Sequence, residues 1–169
     1  MEKRNVLFVM SSLRNGGAER SLVNLLQLLD YDRYNVDLLL FQNEGMFLKQ
    51  VPKSVNIISN CNKLYTLYDN NKAEALKHPY LSAIHMIGTF ISRKKTNSVA
   101  KSRQYRWEHF YKKIVPELTK EYDVAIAYMQ REQTYFLVDK VKAAKKIAWV
   151  HNEYSQLGHF KEMDLEYFE

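Results

Sequence analysis

The fold of this chain is decided by the sequence NGGAERSLVN at residues 15–24, which lies between an apolar run and a leucine-rich segment. The apolar run, Val6–Met10, has the length and composition of a buried strand. Leucines then recur at helical spacing, at positions 22, 25, 26 and 29. A strand, a glycine loop and an amphipathic helix therefore follow one another, which is typical of the start of a βαβ unit.

The glycine pair Gly16 and Gly17 lies directly before this helix, which we expect at Ala18–Leu29. Because glycine has no side chain, the backbone can approach a ligand closely, and the helix start directs N–H groups and a positive dipole end to the same place. The pattern predicts a phosphate-binding loop, or more simply a tight turn that begins a helix. Neither a GxGxxG fingerprint nor a P-loop motif occurs in the chain, so the loop is not that of a dinucleotide or P-loop protein.

The remainder of the chain alternates between apolar runs and helical patterns. We predict further strands at Val36–Phe41, Val55–Ser59, Val124–Met129 and Lys146–Val150. We predict helices at Glu44–Val51, Tyr80–Ser92, Gln104–Lys120 (kinked or split at Pro116), Glu132–Val141 and Tyr154–Phe168, with a loop at Asn60–Lys72. This alternation predicts an α/β fold, a Rossmann-like parallel sheet of at least five strands with helices on both faces. The uninterrupted apolar first strand favours a central position, and hence the strand order 3-2-1-4-5.

Composition excludes several classes of protein. The length of 169 residues fits one domain, and an apolar content of 46% is that of a globular chain. A single cysteine, Cys61, excludes an internal disulfide, and no Cys/His cluster has zinc spacing, so no metal site is expected. No apolar run is long enough to span a bilayer or to form the core of a signal peptide, which favours a cytoplasmic location.

The order of strand, Gly-Gly-Ala-Glu-Arg loop and Asn-Leu-Leu helix resembles the beginning of GT-B glycosyltransferases of the family 4 type. The resemblance is strongest over residues 6–41 and 123–154. It implies a retaining enzyme that needs no metal or cofactor, whose N-terminal domain binds the acceptor and whose second domain binds a nucleotide-sugar. We therefore expect residues 1–169 to be a single N-terminal domain without its donor-binding partner domain, and to be inactive alone.

His151 is the candidate catalytic residue. It follows Ile147–Val150 at the carboxyl end of a predicted parallel strand, the edge where ligands bind in open α/β sheets. The segment is similar to the fifth-strand motif of the family, whose histidine contacts the transferred sugar and is important for turnover. That resemblance assigns the same role to His151, with a sugar hydroxyl or a mobile acceptor proton as its hydrogen-bond partner. A histidine that is merely packed or solvated is the plainer alternative.

Five further residues are secondary candidates for the same site. They are Glu19, Arg20, Gln130, Arg131 and Asn152. An acid in the first helical turn, such as Glu19, also simply complements the helix dipole. Arg20 either contacts a phosphate or points to solvent, and residues 130–131 either contact the acceptor or form the turn that starts a helix.

Positive charge is concentrated in one part of the chain. Residues 77–120 contain ten Lys and Arg against two acids, a net charge of +8, whereas the whole chain carries +6 and the remainder therefore −2. We expect a basic connector at Arg93–Arg103. Its candidates for contact with an anionic surface are Arg93, Lys94, Lys95, Lys101 and Arg103. A solvated charged face is the alternative.

These observations and the resemblance give a functional expectation. The full protein would transfer a sugar from a UDP- or GDP-sugar to a lipid- or polysaccharide-linked acceptor, peripherally at the inner face of the cell membrane. The alternative is a stand-alone Rossmann-like binding module for an anionic partner. Among such partners a membrane surface is favoured over nucleic acid, because no nucleic-acid motif is present.

Overall fold

A computed structural model describes residues 2–58, 64, 66–67, 76–151 and 167. Its five strands are β1 (Arg4–Met10), β2 (Tyr34–Leu40), β3 (Val55–Ile58), β4 (Glu121–Ala127) and β5 (Lys142–Ala148). All neighbouring strands pair in parallel, in the order β3-β2-β1-β4-β5, which confirms the predicted sheet.

Four helices of the described residues flank this sheet. They are α1 (Gly17–Leu28), α2 (Pro79–Lys95), α3 (Val99–Arg106) and α4 (Glu132–Lys140). The axis of α3 continues through a π-helical stretch (Trp107–Tyr111) and a last α-helical turn (Lys112–Ile114). The predicted helix at residues 44–51 is a short 3₁₀ turn at Leu48–Gln50.

Successive side chains along a strand point to opposite faces of the sheet. Because the central strands are buried along most of their length, both faces of the sheet are apolar and helices pack on each of them. On one face Phe8 and Met10 of β1 belong to the same buried cluster as Leu22 and Leu26 of α1. On the other face Leu7 and Val9 lie in a second cluster. The members of that second cluster contributed by α2, by α3 and its continuation, and by α4 are Leu81, Trp107, Tyr111, Tyr135, Phe136 and Leu137. The sheet is therefore a middle layer between two apolar cores.

The predicted basic connector at residues 93–103 is wrong. Helix α2 continues to Lys95, and the chain breaks only at residues 96–98 before α3 begins. The hydroxyl of Ser98 accepts a hydrogen bond from the backbone N–H of Lys101 at 3.1 Å and caps α3. This serine cap starts the second helix at Val99, five residues before the predicted start at Gln104.

The predicted kink or split at Pro116 is also wrong, because the helical segment ends at Ile114 and the proline lies beyond it. Val115 is extended, with φ −76° and ψ 124°. Steric conflict with a proline ring disfavours helical backbone at the preceding residue, so the proline ends the helix early instead of bending it.

Both strands after α3 begin earlier in the chain than the apolar pattern indicates. The pairing of β4 with β5 runs from Glu121 opposite Lys142 to Ala127 opposite Ala148. In the described part of the chain β5 is at one edge of the sheet, and lysines such as Lys145 point to solvent there. Charged residues are common on edge strands, where they oppose pairing with other chains. The sequence pattern identified the apolar end of the strand and missed its charged beginning.

Two predicted segments and one candidate residue fall wholly or mainly outside the described residues. In the predicted loop at residues 60–72, Leu64, Thr66 and Leu67 are instead helical and buried. Leu64 and Leu67 belong to the core beneath α2 and α3, which is why these apolar residues are not in a solvent-exposed loop. The predicted last helix at residues 154–168 is described only at Tyr167, which is helical and lies with its ring centroid 4.3 Å from that of Tyr135. Asn152 also lies outside the described residues.

One charged residue is buried within the apolar strand β2. Asp37 is 3% exposed and accepts hydrogen bonds from Tyr122 Oη at 2.7 Å, Lys120 Nζ at 2.9 Å and Asn56 Nδ2 at 3.0 Å. Burial raises the pKa of Asp37, but these three hydrogen bonds and the charge of Lys120 together lower it below its ordinary value. This Asp37 cluster ties β2, β3 and β4 together.

Candidate functional site

The carboxyl ends of β1, β4 and β5 lie side by side and carry an aromatic cluster. The ring of Tyr128 lies 4.8 Å from that of His151 and 5.0 Å from that of Trp149, measured between centroids. The rings of Trp149 and His151 are stacked, 5.7 Å apart and 9° from parallel. Backbone hydrogen bonds from Tyr128 to Val9 and from Trp149 to Ala127, both 2.9 Å, extend the sheet pairing to this cluster and hold it in place.

Tyr128 connects the cluster to helix α1. Its hydroxyl lies 3.1 Å from the hydroxyl of Ser21, one turn after the glycine pair. His151, which sequence reasoning selected, therefore shares a neighbour with the start of α1. Its ring is half-buried, and its Nε2 atom is buried without a hydrogen-bond partner among the described residues. An unpaired buried nitrogen at a ligand-binding edge is available to a substrate hydroxyl.

The glycine pair forms the beginning of α1. Gly17 is the first helical residue and Gly16 caps it in an extended conformation. A Cβ atom added to Gly17 would meet no atom within 4 Å, whereas one added to Gly16 would lie 2.9 Å from Cδ of Glu19. Gly17 thus faces open space. The carboxylate of Glu19 folds back over Gly16, where it complements the helix dipole. Arg20 is exposed to solvent.

A loop after β2 supports the bridge between β1 and α1. Leu13 N–H donates to the Glu44 carbonyl at 2.9 Å, and Phe47 N–H donates to the Leu13 carbonyl at 3.2 Å. Gly45 has φ +125°, and a Cβ atom there would overlap the backbone of Leu13. Arg14 and Glu44 form an ion pair on the same bridge. Sequence reasoning missed Gly45, although a lone glycine among polar residues after a strand is a signal of such close approach.

A cavity of about 300 Å³ lies at the same edge, where β4 leads into α4. Gln130 lines it, is 4% exposed, and has a buried Oε1 atom without a hydrogen-bond partner among the described residues. With its amide oxygen and nitrogen exchanged, Gln133 donates to the Gln130 carbonyl at 2.9 Å and accepts from Ser11 N–H at 3.2 Å, and we assign this orientation because it satisfies both amide atoms. Arg131, which caps α4, has φ +76°, a conformation that strains a residue other than glycine. Residues 130 and 131 were sequence candidates, and Ser11 and Gln133 were missed.

Arg103, which was predicted to contact an anionic surface, forms an ion pair with Glu132. Its Nε lies 2.8 Å from Oε1 of Glu132, whose side chain is 8% exposed, whereas the Arg103 side chain is 38% exposed. A buried carboxylate needs such a partner, so part of the positive charge of Arg103 is offset within the domain. Arg103 also lines the 300 Å³ cavity.

Other cations of the basic segment are likewise paired inside the domain. Lys112 Nζ lies 2.6 Å from Oδ1 of Asp139, whose other oxygen accepts from the buried Trp107 indole at 2.7 Å. Lys120 is bound to Asp37 at 2.9 Å. The cations that remain exposed at the end of α2 and in α3 are Arg93, Lys94, Lys95 and Lys101. The outward charge is therefore smaller than the count over residues 77–120 indicates.

Next to these cations, α2 presents large apolar side chains to solvent. Exposed fractions are 70% for Met86, 53% for Ile87 and 61% for Phe90, and the Lys94 ammonium lies 4.4 Å from the centroid of the Phe90 ring. Over the residues that the structure describes, no helix has the length and apolar character to cross a membrane. Within the same residues, no group of three or more His, Cys, Asp and Glu side chains is placed to hold a metal ion.

No family model, curated protein or solved structure matches this chain. A function is therefore inferred from the fold, the edge cluster and the cavities.

Proposed function

We propose that this chain is the acceptor-binding domain of a retaining glycosyltransferase of the GT-B, family 4 type. One observation carries the proposal: His151 and the start of α1 meet through Tyr128 at the carboxyl edge of a β3-β2-β1-β4-β5 sheet. That edge is where ligands bind in open α/β sheets. The Gly-Gly-Ala-Glu-Arg loop adds the sequence resemblance to the family.

In this proposal the two halves of the edge have different roles. The backbone N–H groups at Gly16 and Gly17 stabilise the leaving diphosphate of a UDP- or GDP-sugar, after Glu19 moves aside. The unpaired Nε2 of His151 hydrogen-bonds the transferred sugar. Most donor contacts come from a second domain, so the chain alone binds nucleotide-sugar weakly and is inactive. Neither role requires a metal ion or a cofactor.

The acceptor in this proposal is lipid- or polysaccharide-linked, and the enzyme works peripherally at the inner face of the membrane. The support is the α2 surface, in which exposed Met86, Ile87 and Phe90 adjoin the exposed cations Arg93, Lys94 and Lys95. Apolar side chains flanked by cations suit an interface with anionic lipid.

The test of catalysis uses the full-length protein with radiolabelled UDP- and GDP-sugars and a membrane lipid extract. We expect transfer to the lipid fraction, and we expect His151→Ala to lower turnover about 100-fold or more, the effect of losing one positioned hydrogen-bonding group. The matched control is His109→Ala, because His109 is exposed on the π-helical stretch, away from the sheet edge. Equal turnover of the two variants would exclude a catalytic role for His151.

The second candidate function is a binding module for an anionic membrane surface, and the α2 surface favours it. Co-sedimentation with anionic and neutral vesicles tests the membrane contact. We expect the triple change of Arg93, Lys94 and Lys95 to Gln to weaken binding to anionic vesicles. The control removes the same charge at the exposed and scattered positions Lys49, Lys53 and Lys145. If both triple variants lose binding equally, net charge and not the α2 surface is responsible.

A further inference from the structure

The α2–α3 region contains a cavity of about 680 Å³ that the sheet-edge site does not include. Three arginines line it, Arg93 from the last turn of α2 and Arg103 and Arg106 from α3. Hydroxyl groups of Thr89 and Ser102 line it too. Among the described residues that line the cavity, none is acidic. A cavity with this lining attracts anions.

Arg106 lines this cavity and is held in place by a side-chain hydrogen bond. Its Nη1 atom donates to Thr89 Oγ1 at 3.0 Å, which fixes the guanidinium plane. Its Nε atom is buried without a hydrogen-bond partner among the described residues. Losing a buried donor's partner is costly, so a ligand oxygen that binds there is favoured. The guanidinium fork matches the oxygens of a phosphate group.

Two other lining residues of the cavity, His85 and Tyr111, are uncharged and are held together by a hydrogen bond. His85 Nδ1 lies 2.9 Å from the Tyr111 hydroxyl, and the two rings are 13° from parallel. Burial lowers the pKa of His85, and the charge of Arg106 lowers it further, so this imidazole is uncharged at neutral pH. The positive charge of the cavity therefore comes from the arginines, of which Arg103 is paired with Glu132.

The cavity lies between two other concave surfaces with which it shares lining residues. Arg103 also lines the 300 Å³ cavity at the sheet edge. On the other side, Arg93 also lines a groove of about 460 Å³ with Met86 and Phe90. A ligand that follows these three surfaces meets apolar side chains, then guanidinium groups, then the carboxyl edge of the sheet.

We propose that the arginine-lined cavity binds the phosphate or diphosphate group of a lipid-linked acceptor. The lipid chain then lies along Met86 and Phe90, and the sugar to be extended points past Arg103 to the sheet edge. The placement of the sugar rests on the proposed glycosyltransferase function. Binding of the phosphate group rests only on the cavity and its arginines.

The test is calorimetric titration of the 169-residue chain with geranyl diphosphate, inorganic pyrophosphate and geraniol. We expect geranyl diphosphate to bind best, pyrophosphate more weakly and geraniol not measurably. Arg106→Gln should weaken binding of both diphosphates roughly ten-fold or more, the size of one charge-assisted hydrogen bond. Arg93→Gln should do the same, and because Arg93 is exposed its replacement tests the proposal even if the Arg106 variant does not fold.

The matched control is Lys95→Gln, which removes one charge two positions from Arg93 and does not line the cavity. Equal losses in the Arg93 and Lys95 variants would overturn the proposal, because the attraction would then come from net charge. Geraniol binding as tightly as geranyl diphosphate would overturn it as well. Phe90→Ser should remove the advantage of geranyl diphosphate over pyrophosphate and leave pyrophosphate binding unchanged.

A phospholipid headgroup is the other source of the same chemistry, and one titration separates the two. If geranyl diphosphate binding persists when phosphatidylglycerol vesicles are in excess, the prenyl diphosphate is the ligand, whereas displacement by the vesicles would overturn the acceptor assignment. His109→Ala, at an exposed position that does not line the cavity, should leave diphosphate binding unchanged. Arginine-dependent diphosphate binding without sugar transfer by the full-length protein would refute the proposed function and keep the phosphate site.

Discussion

Two buried polar regions of this domain differ in how completely their atoms are paired. In the Asp37 cluster, the carboxylate receives donors from Asn56, Lys120 and Tyr122, all within 3.0 Å. At the carboxyl edge of the sheet, Gln130 Oε1 and His151 Nε2 are buried without hydrogen-bond partners among the described residues. Among the described residues, the first region is fully paired, whereas the second contains two buried polar atoms without hydrogen-bond partners.

This difference distinguishes a region that stabilises the fold from a region that is suited to bind a ligand. A buried polar atom without a partner costs about 1–3 kcal/mol. The backbone of Arg131, with φ +76°, adds strain of about 1–3 kcal/mol at the same edge. A protein retains such costs where a bound ligand supplies the missing hydrogen-bond partners. In a region that serves only stability, the buried polar atoms are paired within the fold, as they are in the Asp37 cluster. Four predictions test this difference, in order of decreasing expected effect.

Asp37→Ala should have the largest effect on stability. It leaves the buried hydroxyl of Tyr122 and the amide of Asn56 without their acceptor, so we expect the free energy of unfolding to fall by roughly 3 kcal/mol or more. Urea unfolding followed by circular dichroism measures the loss. Asp32→Ala is the control, since Asp32 is exposed and its loss should cost under about 0.5 kcal/mol. Similar losses in both variants would show that the Asp37 cluster has no special role in stabilising the fold.

Gly17→Val should act on the donor and not on the fold. A Cβ atom at Gly17 meets nothing within 4 Å, so the chain itself accommodates a side chain there. In the full-length enzyme, we expect the KM for the nucleotide-sugar to rise roughly ten-fold, because the side chain blocks approach of the diphosphate to the backbone. The melting temperature should stay nearly constant. A Gly17→Ala enzyme should show a smaller effect, and unchanged KM in both variants would argue against a phosphate at this loop.

Mild acid should destabilise the domain through His85. Burial, followed by the charge of Arg106, lowers the pKa of His85 below 6.5, so the unfolded chain binds the proton more readily than the folded one. Stability from this group is complete above pH 6.5 and declines as the pH falls below that value. Asp37, whose pKa is also lowered, adds a second decline only below about pH 3.8.

Urea unfolding at pH 7, 6 and 5 measures the slope that belongs to His85. His85→Asn should flatten the pH dependence over this range. The exposed residue His109 provides the control, because His109→Asn should leave the slope unchanged. A wild-type slope in the His85 variant would contradict the assignment.

Gln130→Met should have the smallest effect. The substitution removes a buried amide oxygen that has no partner among the described residues and replaces it with an apolar group of similar length. We expect the free energy of unfolding to change by less than about 1 kcal/mol, in either direction. Urea unfolding again provides the measurement. A loss as large as that of Asp37→Ala would mean that the two polar regions do not differ in kind.

Much of the fold could be predicted from the sequence because its signals are local. The apolar run of β1, the glycine pair and the leucines of α1 lie within 25 residues, and the central position of β1 follows from its uniformly apolar character. The start of β5 at Lys142 could not be predicted in this way. Pairing with β4 selects that lysine-rich segment, and the edge of the sheet leaves its charges in solvent.

The candidate site was predictable to a lesser degree. Sequence position placed His151 and Gly17 at the carboxyl edge, but the contact of Tyr128 with both neighbourhoods depends on side-chain packing between strands. Arg103 was assigned to an outer surface because its nearest neighbours in sequence are basic. Its partner Glu132 lies on α4, and only the packing of α3 against that helix start brings the two together.

By itself, the sequence determined the sheet, its strand order and the position of the glycine loop, since periodicity and glycine placement act over short distances along the chain. The tertiary structure alone decided which polar groups find partners. Asp37, Arg103 and Lys120 are paired with residues far away in the chain, whereas Arg106 Nε has no hydrogen-bond partner among the described residues. Charge pairing depends on the distance between atoms in space, and that distance is set only when the helices pack against the sheet.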